Sequence, residues 1–168
     1  ACGAPPPPQP ALHARYGLDA RTLARARNIV LLVVDGLGVR QLEAHARGAL
    51  RSEAGPRLAS VFPSTTAAAI PTFMTGLAPA QHALTGWHMW LEELQAIAAI
   101  LPMMPRTGPP FSGAPSAIAT RLFDHHPIYA GMHCPAWVVS PHDIAFSPFN
   151  AFHARGADTL AYTDLDSL

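Results

Sequence analysis

Lysine is absent from this 168-residue sequence: the eleven basic residues are all arginine, and eleven carboxylates balance them. A formal net charge of zero points away from a nucleic-acid polymer or an anionic membrane surface as partner. The arginine bias, with its excess of Ala and Pro, reads as GC-rich coding and not as selection for an arginine function. Charged residues make up only 13% of the chain, few for a complete soluble surface. The two cysteines, Cys2 and Cys134, allow at most one bridge and leave the redox compartment undetermined. No apolar run approaches the roughly 18 residues that a transmembrane helix requires. The opening ACGAPPPPQP has neither the basic nor the apolar region of a signal peptide. It begins with Ala, so a processed or cut start is expected, with a lipoprotein remnant at Cys2 as an alternative. Cytoplasm and periplasm both stay open.

What is present is 49% apolar residues, enough for one domain with a core. Residues 1–12 are expected to be a disordered Pro-rich segment, and residues 13–168 to form the domain. Helical spacing over 18–27 predicts a leading helix. NIVLLVVD (28–35) then supplies six consecutive aliphatics, read as a central parallel strand buried on both faces. DGLG predicts a turn, 39–50 an amphipathic helix, and LASVF (58–62) the next strand. Together these make a right-sized βαβ crossover. TTAAAIPTFMTGL predicts a helix that Pro71 kinks or whose regular part it confines to one end. A helix over 91–101, a long loop over 102–115, a short helix over 117–123 and a strand over 135–141 follow. TDLDSL (163–168) reads as the opening of a helix. The alternation predicts an α/β fold with a doubly wound, mostly parallel sheet.

Asp35 ends the most buried-looking strand, where ligands gather in open α/β sheets. It suits a metal ligand or a ribose contact, and it equally suits a cap for the helix from about 39. Thr65 and Thr66 stand at a strand-to-helix junction, where a hydroxyl meets unpaired N–H groups and the positive end of a helix dipole. That is a phosphate site, or simply a capped helix. The histidines, His82, His88, His125, His126, His133, His142 and His153 among them, show no compact ligand spacing. Trp87, Met89 and Trp90 could line an apolar pocket or pack in the core. DGLGVR fits a dinucleotide fingerprint poorly, because Asp35 and Gln41 occupy glycine positions.

Taken in order, IVLLVVDGLG and SVFPSTTAAAIPTFMTGLAPAQHALTGW resemble the alkaline phosphatase superfamily. The branch they resemble is the type I phosphodiesterase and nucleotide pyrophosphatase enzymes. Thr66 lies nine residues before Thr75-Gly76-Leu77, with Pro79 and His82 following. The resemblance therefore implies Thr66 as nucleophile and metal ligand, and Asp35 as the first metal ligand. It implies two Zn²⁺ ions in the full-length enzyme, and a small phosphate ester or diester as substrate. Ala83 replaces the Gly that usually follows the His. Trp87 stands where classical members place a phosphate-holding Asn, which leaves backbone N–H groups at Thr66 to share that task.

The remaining ligands of the resemblance, an Asp-x-x-x-His pair, an Asp-His and a further His, have no assigned positions here. Asp166 in LAYTDLDSL reads as the first member of that pair. The preferred reading is instead that TDLDSL opens a helix preceding that region, since no apolar strand is expected to lead into it. The chain is accordingly expected to be the N-terminal portion of a threonine-nucleophile hydrolase, incomplete in its metal ligands. A catalytically inactive binding or structural module on the same fold is the alternative. A Rossmann-like nucleotide binder using Gly36 and Gly38 is the third reading.

Overall fold

The computed structural model describes Gly3, Gln9, Pro10, residues 12–18, residues 20–164 and Asp166. The Pro-rich segment expected over 1–12 lies largely outside these residues, and Cys2 wholly so. The chain divides into one unit built on Pro10–Ser60 and another built on Val61–Leu168.

In the first unit a 3-10 turn at Ala14–Tyr16 precedes helices α1 (Ala20–Arg25), α2 (Val39–His45) and α3 (Ala49–Ser52). The helices expected over 18–27 and 39–50 are thus present in shortened form. The strands expected over 28–35 and 58–62 are not. A strand is not autonomous: its backbone needs neighbours about 4.8 Å away to complete a ladder, and the described residues of this unit contain no strand. The six aliphatics are correspondingly exposed, from 37% at Val33 to 90% at Val30. The central buried strand is corrected on this evidence.

The second unit holds helices α4 (Thr66–Thr75) and α5 (Pro79–His82), then strands β1 (His88–Leu91), β2 (Ala96–Ala99) and β3 (Met104–Pro105). Helix α6 (Pro115–Leu122), strand β4 (Trp137–Pro141), helices α7 (His142–Ala145) and α8 (Pro148–His153), and strand β5 (Asp158–Tyr162) complete it. The helix expected over 91–101 is instead a hairpin, with Leu91 opposite Ala96 and Trp90 opposite Ile97. A 3-10 turn at Glu92–Leu94 and a left-handed Gln95 (φ 50°) reverse the chain there. The helix preference of Leu, Glu and Ala is worth only tenths of a kcal/mol each, so pairing and burial override it.

The fold is therefore α/β, but the doubly wound parallel sheet is not what forms among the described residues. β1, β2 and β3 make an antiparallel sheet, while β4 and β5 pair in parallel. The parallel pair confirms the strand expected over 135–141. Its crossover runs through α7 and α8, later in the chain than the one read from the sequence. The helix expected over 117–123 is α6, which begins two residues earlier with Pro115 in its first turn, where proline's missing N–H costs nothing.

The core of this unit gathers Ala67 and Met74 from α4, Ala98 from β2, Ile118 and Ala119 from α6, and Phe149 and Phe152 from α8. Phe123 sits among them, edge-on to Phe149 at 6.1 Å between ring centroids. His153, with no exposed surface, stacks on Phe149 at 4.1 Å. Its Nδ1 lies 2.8 Å from the Phe149 carbonyl oxygen. A carbonyl only accepts, so Nδ1 carries the proton. The bare Nε2 then accepts from His125 Nε2–H across 2.8 Å. A proton on His153 Nε2 would set N–H against N–H. Burial pushes the His153 pKa down to about 3, and the neighbouring His125, His82 and Arg155 add to the push against the Phe149 carbonyl.

Two outcomes follow from this core. Phe149→Ala should lower stability by about 3–5 kcal/mol, because the vacated volume cannot close around α8, read as a fall in the urea midpoint. Acid should also unfold the protein in a defined window. The folded-state pKa of His153 is below its unfolded value, so the unfolded chain takes up the proton first. Stability is then fully present above about pH 6.5 and lost as pH falls toward 3, by roughly 5 kcal/mol in all. Urea titrations followed by circular dichroism at stepped pH test this, and a midpoint that stays level from pH 7 to 4 would contradict it.

Candidate active site

Thr66 is the first residue of α4, and Thr65 is the cap position with extended backbone (φ −135°, ψ 151°). The Thr65 carbonyl accepts from the amides of Ala68 and Ala69, but the Thr65 side chain makes no capping hydrogen bond. The Thr65 hydroxyl therefore does not cap the helix. Thr66 itself is half-buried. A cis Phe62–Pro63 peptide lies just before it.

Asp35 belongs to the other unit. It lies in a turn with Gly36 at φ 79°, closed by the Leu37 amide on the Val34 carbonyl at 3.3 Å. The sequence reading of DGLG as a turn is thus confirmed, with glycine where positive φ demands it. The cap of α2 is Gly38, without a side-chain hydrogen bond, so Asp35 does not cap that helix.

Downstream of Thr66 the stretch TGLAPAQH is a folded-back clamp. Pro71 lies inside α4 and cannot donate to the carbonyl four residues earlier. Threonines follow it. Thr72 Oγ1 donates to the Ala68 carbonyl at 3.1 Å, and Thr75 Oγ1 to the Pro71 carbonyl at 2.7 Å. Thr75 Oγ1 also accepts from the Leu77 amide at 3.1 Å. Gly76 ends the helix at φ 71° with its amide on the Thr72 carbonyl. Pro79 opens α5, and the Gln81 side chain accepts from the Ala78 amide at 3.0 Å. His82, 3% exposed, then reaches back to Thr72 Oγ1 at 3.2 Å.

Ala83 closes α5 at φ 61°. The substitution noted in the sequence therefore falls on a left-handed position, where a Cβ costs roughly 1 kcal/mol. Trp87 is exposed, and its carbonyl accepts from the Ile100 amide. Trp90 lines an open cavity of about 540 Å³ with Ile97, Gln95 and Arg106, and neither Trp87 nor Met89 lines it.

The two Zn²⁺ ions that the resemblance implies would find oxygen donors in Asp35 and Thr66. Among the described residues, however, no group of three or more His, Cys, Asp or Glu stands ready to hold a metal ion. One sequence argument is overturned: β5 (Asp158–Tyr162) leads directly into TDLDSL, as the parallel partner of β4. The ground given for preferring a helix opening there is gone, although Asp166 itself has 3-10 conformation and half of the stretch lies outside the described residues. Asp166 follows the carboxyl end of a parallel strand.

Sequence reasoning did not single out Thr72, His125 or His153. Thr72 carried a usable signal, a hydroxyl directly after a mid-helix proline. His125 and His153 are 28 residues apart and carried none. No helix among the described residues is long and apolar enough to cross a membrane.

No curated protein and no solved structure matches this chain. The family model described as type I phosphodiesterase / nucleotide pyrophosphatase matches residues 29–142. That range takes in both the Asp35 turn and the whole α4–α5 clamp. Covering more than half of the 168 residues, it shows that the chain belongs to the type I phosphodiesterase / nucleotide pyrophosphatase family.

Proposed function

We propose that this chain carries the nucleophile of a phosphoric ester hydrolase, with Thr66 Oγ1 attacking phosphorus. The observation that carries the reading is the position of Thr66 as first residue of α4, behind a cap position whose side chain does not cap. At that point helix N–H groups and the positive end of the dipole favour a phosphate. The Oγ1–P bond forms as the bond from phosphorus to the leaving alcohol or phosphate breaks. The Thr66 proton ends on the departing oxygen, and water later hydrolyses the phospho-threonine, releasing the phosphate and returning a proton to Oγ1. Backbone N–H groups at the start of α4 stabilise the charge that develops on the phosphoryl oxygens. The substrate class is a small phosphate ester or diester.

Asp35 is proposed as the first metal ligand, with Thr66 the second protein donor. Asp166 rejoins them as a candidate, because ligands gather beyond the carboxyl ends of parallel strands. The domain is proposed to span 13–168 and to follow an alkaline phosphatase-like doubly wound plan.

A second reading is an inactive binding or structural module on the same fold. What favours it is that the described residues include no ready-made metal-holding group. The Rossmann-like reading has no support from the family match.

Turnover of bis(4-nitrophenyl) phosphate with added zinc separates the two. Thr66→Ala should reduce it at least about a hundredfold, while Thr66→Ser retains part of it. Mass spectrometry of quenched wild-type protein should find a phosphorus adduct on the Thr66 peptide. Wild-type turnover in Thr66→Ala would dismiss the nucleophile, and a zinc-loaded wild type with neither turnover nor a phosphorus adduct on the Thr66 peptide would favour the inactive module. In parallel, calorimetric titration should show zinc affinity weakened by Asp35→Asn by about tenfold or more.

A further inference from the structure

The hydrogen bonds around His82 run in one direction only. The Leu84 amide lies 3.1 Å from His82 Nδ1. An amide N–H only donates, so Nδ1 is bare and the neutral ring carries its proton on Nε2. Nε2–H then donates to Thr72 Oγ1 at 3.2 Å. The Thr72 hydroxyl, its lone pair engaged, sends its own proton to the Ala68 carbonyl at 3.1 Å. Ala68 is in the first turn of α4, two residues beyond Thr66. The relay therefore ends in the turn that presents Thr66, and it crosses the helix where Pro71 removes a backbone bond.

We propose that His82 is a positioning residue for Thr66. Acting through Thr72, its neutral Nε2–H tautomer holds the first turn of α4 in register across the proline break. This rests on the reading of Thr66 as nucleophile, but the relay itself can be tested without turnover. Charging the imidazole places a proton on Nδ1, opposite the Leu84 N–H, and the relay loses its anchor. Burial opposes that charge. His125 lies 6.4 Å away between ring centroids, with His153 beyond it. Asp124, His126 and Arg155 act on His125 in turn, Asp124 with the opposite sign. Burial keeps the His82 ring neutral below the ordinary histidine range, against hydrogen bonds to the Ala68 and His82 backbone that favour the charged ring.

Three variants separate the two ends of the ring. His82→Gln keeps a donor that can reach Thr72, His82→Asn keeps an acceptor near Leu84, and Thr72→Val removes the hydroxyl at nearly constant volume. Imidazole nitrogen NMR of the wild type should show the Nε2–H tautomer of His82 persisting well below pH 6.5. Hydrogen exchange of the α4 amides should quicken about tenfold or more in His82→Asn and Thr72→Val, and less than about threefold in His82→Gln. On a phosphodiester substrate the first two should lose kcat by about tenfold or more, with KM nearly unchanged. An Nδ1–H tautomer would overturn the proposal. So would equal exchange in all four proteins, and Thr72→Val decides this even if neither His82 variant folds. A wild type without turnover would count against the nucleophile alone, and the tautomer and exchange results would still decide the relay.

Discussion

A proline in the middle of α4 is the constraint around which the second unit is arranged. Pro71 is buried within a ten-residue helix, and its missing N–H removes one backbone bond between the two halves of that helix. The side chains that repair the break also build the turn. Thr75 ties the Pro71 carbonyl to the Leu77 amide. Thr72 ties the first half of the helix to His82. The small residues Ala67 and Ala68 on the same helix have no exposed surface, so α4 packs closely against its neighbours.

Neutral imidazoles extend this arrangement into the core. His82, His125 and His153 come from α5, from the loop after α6 and from α8. Phe123 stands between them, 4.8 Å from His153 and 5.7 Å from His125. Hydrogen bonds to groups that only donate or only accept fix the tautomers of His82 and His153. A buried polar network of this kind is stabilising only when every member is satisfied. Among the described residues, no buried side-chain nitrogen or oxygen lacks a partner.

What could be read from the sequence is the part whose physics is local. Helix α4, the DGLG turn and the family resemblance all lie in short patterns, and each is present. The hairpin at Leu91–Ala99 was hidden because its residues favour helices individually, and only cross-strand pairing with β3 reverses that. The strand over 28–35 failed for the opposite reason. Six aliphatics state a demand for burial, but they do not supply the neighbours that would meet it. His125 and His153 meet across 28 residues, a juxtaposition no spacing rule anticipates. Thr66 and Asp35 enter the proposed site only as members of an ordered pattern, since each alone reads as ordinary capping or turn chemistry.

The run Ile29–Val34 has a further meaning for how the molecule behaves in a crowd. It is uncharged, contains neither proline nor glycine, and exposes its side chains without forming a strand. A six-residue segment of that composition is a seed for cross-β stacking, because any extended chain that meets it can complete its ladder. Only 13% of the residues are charged and the net charge is zero, so little electrostatic repulsion keeps two copies apart.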